Sequence, residues 1–160
     1  MIDLGKIEFN LPSENEISWT RVFDAPREMV FDALTKPALI RKWLLGPDGW
    51  SMIVCEVDLR VGGAYRYVWK HAQKGEMGMG GFFREISRPE RIVNTEKFDA
   101  AWYEGEAIGT VTLSEKNGKT TLLTTIRYVS RETRDQVLKS NMEVGLRVSY
   151  NHLAGLLAQA

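Results

Sequence analysis

Six strand-like segments follow one another in the middle of the chain, and one long helical pattern comes directly after them. The six segments are rich in β-branched and aromatic residues and are separated by turn formers; they cover residues 50–59, 64–71, 77–86, 91–98, 106–114 and 120–129. Gly62-Gly63 and Asn117-Gly118 supply the tight turns that make consecutive strands antiparallel neighbours. The middle of the chain is therefore predicted to be an antiparallel meander.

One more strand and two short helices are predicted before the meander. Residues 16–23 have the composition of a strand. Pro26 and Pro37 each precede apolar residues at helical spacing, and proline suits the first turn of a helix because the amide hydrogen that it lacks would have no partner there. We expect residues 1–15 to be an N-terminal extension and residues 16–160 to form a single domain.

The last segment, residues 130–158, has the periodicity of a helix. Ser130 or Thr133 is expected to cap its start, and one stripe along it consists of Leu138, Met142, Leu146, Ser149, Leu153 and Leu157. A helix of this length is about 40 Å long at 1.5 Å per residue, so it is the only predicted element that can cover the sheet. The predicted fold is α+β: a curved six- to seven-stranded antiparallel sheet wraps around one long C-terminal helix and leaves an apolar cavity between them.

The bulk composition excludes several classes of partner. Twenty-one basic and twenty-one acidic residues give a net charge of zero, which does not indicate nucleic acid. The single cysteine, Cys55, is typical of a reducing compartment and is predicted to be a small apolar strand residue rather than a reactive thiol. Neither a secretion signal nor the roughly 18 apolar residues of a spanning helix is found, so we predict a cytoplasmic protein with no membrane partner.

Several motifs resemble one known group of proteins. They are Arg21-Val22-Phe23-Asp24-Ala25-Pro26, Val30-Phe31-Asp32-Ala33-Leu34-Thr35-Lys36-Pro37 followed by Trp43, Asp58-Leu59-Arg60-Val61-Gly62-Gly63 with Tyr65, Glu85-Ile86 with Pro89-Glu90-Arg91-Ile92, and Gly118-Lys119-Thr120-Thr121-Leu122. From Ile17 to the C-terminus the chain is similar to the START-like, helix-grip superfamily. Within it, the chain resembles the branch named after the activator of the ninety-kilodalton heat-shock chaperone's ATPase.

The resemblance implies the helix-grip fold and leaves the function open, because members bind lipids, polyketides, hormones, drugs or protein partners on one scaffold. This chain also departs from the family pattern. It has Trp43-Leu44-Leu45 where two tryptophans are usual, and Gly145-Leu146 where an aromatic residue commonly follows the glycine. Both changes are expected to reshape one end of the cavity, so a relative's ligand is not carried over to this chain.

Aromatic residues supply the strongest candidates for a site. Tyr65, Tyr67 and Trp69 alternate along one strand and therefore share a face; if that face is concave, they suit a planar amphipathic ligand, and the alternative is ordinary core packing. The cavity candidates are Trp43, Met52, Tyr65, Tyr67, Trp69, Phe82, Phe98, Met142 and Leu146. The glycine-rich stretch 77–83 is expected either to widen the pocket or to form a bulged strand that bends the sheet.

Candidates for catalysis are weaker. His71 and His152 lie in no ligand or catalytic motif and are expected at the surface. Glu96 and Glu106 are expected to point outward into solvent; the alternative is an inward carboxylate paired with Arg21 or Arg127, able to orient a ligand or to act as acid or base. We predict no catalytic residue, no metal and no cofactor.

Three functions follow from these observations. The first is binding of a small hydrophobic or amphipathic molecule in the cavity, without chemistry. The second is a co-chaperone-like protein-interaction module with a chaperone partner. The third is a cyclase- or hydratase-like enzyme that acts on a polyketide-type ligand, which requires an inward carboxylate or histidine with a perturbed pKa. Exposed strand edges would also allow a homodimer, although the sequence does not require one.

Overall fold

The computed structural model describes residues 5–159, which form eight strands and four helices. The strands are β1 (Glu8–Asn10), β2 (Glu16–Phe23), β3 (Trp50–Val57), β4 (Ala64–His71), β5 (Gly75–Ser87), β6 (Arg91–Phe98), β7 (Ala107–Lys116) and β8 (Lys119–Arg127). The helices are α1 (Arg27–Thr35), α2 (Pro37–Trp43), α3 (Arg131–Leu138) and α4 (Met142–Ala158). None of the helices in this part of the chain has the length and hydrophobicity to cross a bilayer.

All eight strands belong to one curved antiparallel sheet, in the order β1-β2-β8-β7-β6-β5-β4-β3. The predicted α+β architecture is confirmed, with one strand more than the predicted six or seven. The additional strand is β1, which pairs with β2 through the register Phe9 to Trp19, so part of the predicted 1–15 extension belongs to the sheet. Residues 1–4 of that extension lie outside the described residues. β1 and β3 are the edge strands, and the homodimer stays a prediction.

The hairpin between β7 and β8 has the predicted turn. Asn117 and Gly118 connect the two strands and have φ values of 55° and 76°. Positive φ at both central residues matches the twist of a two-residue hairpin, and asparagine and glycine adopt it at low cost. The turn thereby fixes the register in which β7 pairs with β8.

The C-terminal helix is confirmed as α4, but the predicted unbroken helix over residues 130–158 was wrong, because this segment forms two helices. Ser130 caps α3 as predicted, with its Oγ accepting from the backbone N–H of Thr133 at 3.1 Å. The break follows Leu138: the Ser140 hydroxyl donates to the carbonyl of Val137 at 2.6 Å, and Asn141 has a left-handed φ of 59°. Serine and asparagine favour such local conformations over continued helix.

Because of the break, the residues of α3 that face the core are not those predicted from the apolar stripe. Leu138 was predicted to be on the stripe but is 38% exposed, and its neighbour Val137 is buried instead. Along α4 the stripe holds, and Leu153 and Leu157 are buried in one core with Ile17 of β2. The C-terminal half of α4 is therefore packed tightly on the sheet.

The two leucines provide a direct test of this core. Leu153→Ala is expected to lower the free energy of unfolding by about 2–5 kcal/mol, because it leaves a cavity in a fully buried position. Leu138→Ala, the matched change at a part-exposed position, is expected to cost less than about 1 kcal/mol. Urea denaturation measures both, and equal losses would show that the stripe continues unbroken from α3 into α4.

Candidate functional site

A cavity of about 310 Å³ lies between the concave face of the sheet and the N-terminal half of α4. Met142, Leu146 and Tyr150 face it from α4, and Leu44 closes it beside α2. The loop after α2 is held against α4, because the amide of Gly46 donates to the Ser149 hydroxyl at 3.1 Å. The cavity thus lies beside the N-terminal half of α4, whereas the C-terminal half of α4 is packed on the core.

Aromatic and sulphur-containing side chains form a row across the floor of the cavity. Tyr67 of β4 is paired in register with Met79 of β5, and Met79 with Phe98 of β6. Residues paired in an antiparallel sheet share a face, and all three line the cavity. Tyr65 and Trp69, two positions either side of Tyr67, line it as well.

Hydrogen bonds fix the polar ends of several aromatic walls. The indole N–H of Trp43 donates to the carbonyl of Ala33 at 2.7 Å, and that of Trp69 donates to the carbonyl of Leu44 at 2.8 Å. The Tyr65 hydroxyl donates to the carbonyl of Thr95 at 2.6 Å. These side chains therefore present apolar ring surface to the cavity while their polar atoms are satisfied elsewhere.

Seven of the nine predicted cavity residues line the cavity: Trp43, Tyr65, Tyr67, Trp69, Phe98, Met142 and Leu146. The placement of Phe82 was wrong, because it is 56% exposed on the opposite face of β5 and the next residue, Phe83, lines the cavity in its place. Met52 was also misplaced. It pairs with Trp69 on the edge strand β3 and packs on the core without lining the cavity.

The glycines of β5 allow neighbouring strands to approach closely. A Cβ at Gly81 would lie 2.0 Å from the carbonyl oxygen of Thr95, and one at Gly80 would lie 2.6 Å from that of Tyr65. The pairing of β5 with β6 shifts register between Phe83 and Glu85. The register shift thus lies just after the glycines, and the glycines themselves permit the close approach of β4 and β6.

Glu96 points into the cavity, although it was expected to point outward. It is half-buried on β6, it lines the cavity, and no hydrogen bond or ion pair joins it to another described residue. Desolvation by the surrounding protein raises the pKa of its carboxyl group to about 7. The alternative pairing is also wrong: Arg21 donates to Asn151 at 2.9 Å on α4, and Arg127 is exposed.

Tyrosines surround this carboxyl group. Burial, reinforced by the charge of Glu96, raises the pKa values of Tyr65, Tyr67, Tyr103 and Tyr128, so their hydroxyls are neutral near pH 7. The buried hydroxyl of Tyr103 has no hydrogen-bond partner among the described residues. One end of the cavity thus combines aromatic walls with a carboxyl group and an unsatisfied phenol.

Sequence reasoning missed Tyr103 and favoured the wrong direction for Glu96. The signal for Glu96 was available: it lies two residues before Phe98 on β6, and the pleat places both side chains on one face. Tyr103 follows the end of β6 in an irregular loop, where no periodicity indicates which way a side chain points.

The other candidate groups lie outside the cavity. Glu106 and His152 are exposed, as predicted. His71 is the last residue of β4, and its Nδ1 accepts from the backbone N–H of Gln73 in the following turn at 3.1 Å. Cys55 is buried on β3, and desolvation raises the pKa of its thiol. Within residues 5–159 no cluster of three histidine, cysteine or acidic residues has the arrangement of a metal site.

An antiparallel sheet that grips a C-terminal helix over an internal cavity defines the helix-grip class. The family described as activator of Hsp90 ATPase homolog 1-like protein matches residues 24–158. The chain belongs to this family. No curated protein matches the chain.

Solved structures support the same assignment. A Rhodobacter sphaeroides protein is 31% identical, with a TM-score of 0.91 over 97% of this chain and 100% of that one. A Chromobacterium violaceum protein is 33% identical, with a TM-score of 0.76 over 89% of this chain and 97% of that one. An AHSA1-like protein from Aeromonas hydrophila, 19% identical with a TM-score of 0.70 over 88% and 93% of the two chains, shares the fold.

The raised pKa of Glu96 predicts how stability depends on pH. In the unfolded chain this carboxyl group ionises near its ordinary pKa of 4.5, whereas in the folded chain it stays protonated up to about pH 7. Protonation therefore favours the folded state at low pH, and this contribution is lost as the pH rises through 7. Between pH 5 and pH 8 the wild type is expected to lose about 2–3 kcal/mol more free energy of unfolding than Glu96→Gln. Urea denaturation of both proteins at both pH values measures the difference, and identical pH dependence would contradict a desolvated Glu96.

Proposed function

We propose that the protein binds a small hydrophobic or amphipathic molecule in the cavity and performs no chemistry on it. The observation that carries this proposal is the concave aromatic surface of the cavity, whose walls are fixed by the hydrogen bonds of Trp43, Tyr65 and Trp69. A rigid apolar pocket binds a planar guest at low entropic cost because the protein does not have to order itself around the guest.

The size of the cavity supports the same function. Its volume of about 310 Å³ is at the lower end of the roughly 300–1,000 Å³ of small-molecule pockets. Each Å² of apolar guest surface removed from water contributes about 25 cal/mol. A compact bicyclic aromatic molecule matches this space better than a long-chain lipid.

Glu96 favours a second candidate, an enzyme of the cyclase or hydratase type. Such an enzyme requires an inward ionisable group whose pKa is shifted toward neutrality, and Glu96 has both properties. Binding is the simpler proposal, because the other polar side chains that line the cavity in residues 5–159 are the hydroxyls of tyrosines and Thr124, the indole N–H groups of the tryptophans and the amide of Asn94. The chaperone partner rests on family membership alone and stays an alternative.

Two tryptophan substitutions on α4 test whether the cavity is the binding site. Leu146 lines the cavity, whereas Val144, two residues earlier, is 58% exposed. The neutral probe 2-naphthylmethanol is expected to bind the wild type, and Leu146→Trp is expected to weaken that binding about tenfold or more by filling the space. Isothermal titration calorimetry measures the affinities.

Val144→Trp is the matched control, because it adds the same indole to the solvent side of the helix. It is expected to leave the affinity unchanged, and circular dichroism confirms that both variants are folded. Absence of binding to the wild type, or equal binding by both variants, would refute the cavity as the site.

A further inference from the structure

We propose that the cavity is selective for amphipathic ligands that carry a protonated amine, and that the Glu96 carboxylate binds the ammonium group. This inference rests on the proposed function and specifies the ligand class of the same site. It follows from the charges and the surfaces that the folded chain places around one unpaired acidic side chain.

The described residues that line the cavity include an acidic side chain but no basic one. Among the lining residues that the structure describes, Glu96 is the only acidic side chain, and none is lysine, arginine or histidine. Arg21, which the sequence suggested as a partner for an inward carboxylate, does not line the cavity and donates a hydrogen bond to Asn151. A ligand cation is therefore the counter-ion that this carboxylate lacks in the free protein.

Desolvation makes the selectivity strong. An isolated carboxylate in an apolar space loses its hydration, which is why the pKa of Glu96 is raised to about 7. An ammonium group that donates to it restores the ionised form through a charge-assisted hydrogen bond. An anionic ligand in the same place would meet a like charge, and a neutral ligand would leave the carboxyl group protonated.

The walls around Glu96 also suit a cation. Tyr65 and Tyr67 of β4, Tyr103 of the β6–β7 loop and Tyr128 after β8 are the other titratable groups that face it, and all four are neutral near pH 7. Aromatic ring faces attract cations. The cavity therefore places a carboxylate among aromatic walls, which is the chemistry that recognises organic ammonium ions.

Three probes with one ring system test the proposal: 2-naphthylmethylamine, 2-naphthylmethanol and 2-naphthoate. At pH 8 the amine is expected to bind at least about tenfold more tightly than the alcohol, and the carboxylate at least about tenfold more weakly. The affinity for the amine is expected to rise about tenfold or more from pH 5.5 to pH 8, because Glu96 ionises over that range, while the affinity for the alcohol changes little. Isothermal titration calorimetry measures all three ligands.

Glu96→Gln is expected to bind the amine within about twofold of the alcohol and to lose the pH dependence of amine binding. Glu106→Gln, which removes an exposed carboxylate, is the matched control and is expected to keep both properties. Binding of the alcohol without preference for the amine, or a preference that survives in Glu96→Gln, would overturn the inference and leave the proposed function intact. Failure of the wild type to bind any of the three probes would overturn both.

Discussion

The hydrogen bond from the indole N–H of Trp19 to the hydroxyl of Tyr150, 2.9 Å long, connects β2 to α4 at the boundary between core and cavity. The ring of Tyr150 also contacts Phe23 and Trp43, with ring centroids 5.7 and 6.0 Å apart. Toward the C-terminus of α4 the helix is packed on the sheet, and toward its N-terminus it faces open space. The fold and the site therefore depend on where this contact fixes the helix.

An open apolar cavity and a desolvated carboxyl group both lower the stability of the free protein. Natural proteins retain such features mainly where function requires them. The unsatisfied hydroxyl of Tyr103 belongs to the same region, so the structural costs are concentrated around Glu96 rather than spread through the core. A guest that fills the space and pairs with Glu96 would offset these costs, which is the physical reason for assigning a ligand to this part of the molecule.

The sequence predicted the architecture because local signals agreed with the global fold: Asn117-Gly118 fixed one hairpin and Pro37 begins α2. It did not predict the break at Asn141, since the apolar spacing continues across it. For the site, alternation identified Tyr65, Tyr67 and Trp69 correctly, but Phe82 was chosen over Phe83 within two adjacent aromatic residues. Glu96 was predicted to point outward because burying a carboxylate is costly. Its position two residues before Phe98 on the same strand, however, places both side chains on one face and indicated the opposite. For Glu96, the general tendency of carboxylates to be exposed was given more weight than the alternation of side chains along β6, and this residue is the most relevant to the proposed function.

The central claim is that a guest binds in the cavity beside the N-terminal half of α4 and does not contact the core around the C-terminal half of that helix. The most direct measurement is the set of nuclear Overhauser effects between the ring protons of bound 2-naphthylmethanol and the methyl groups of the methyl-labelled protein. Contacts are expected to Val111 and Leu146, which line the cavity, and not to Leu153 or Leu157, which lie in the core. Contacts confined to exposed methyl groups such as those of Val61 or Val144 would contradict the account.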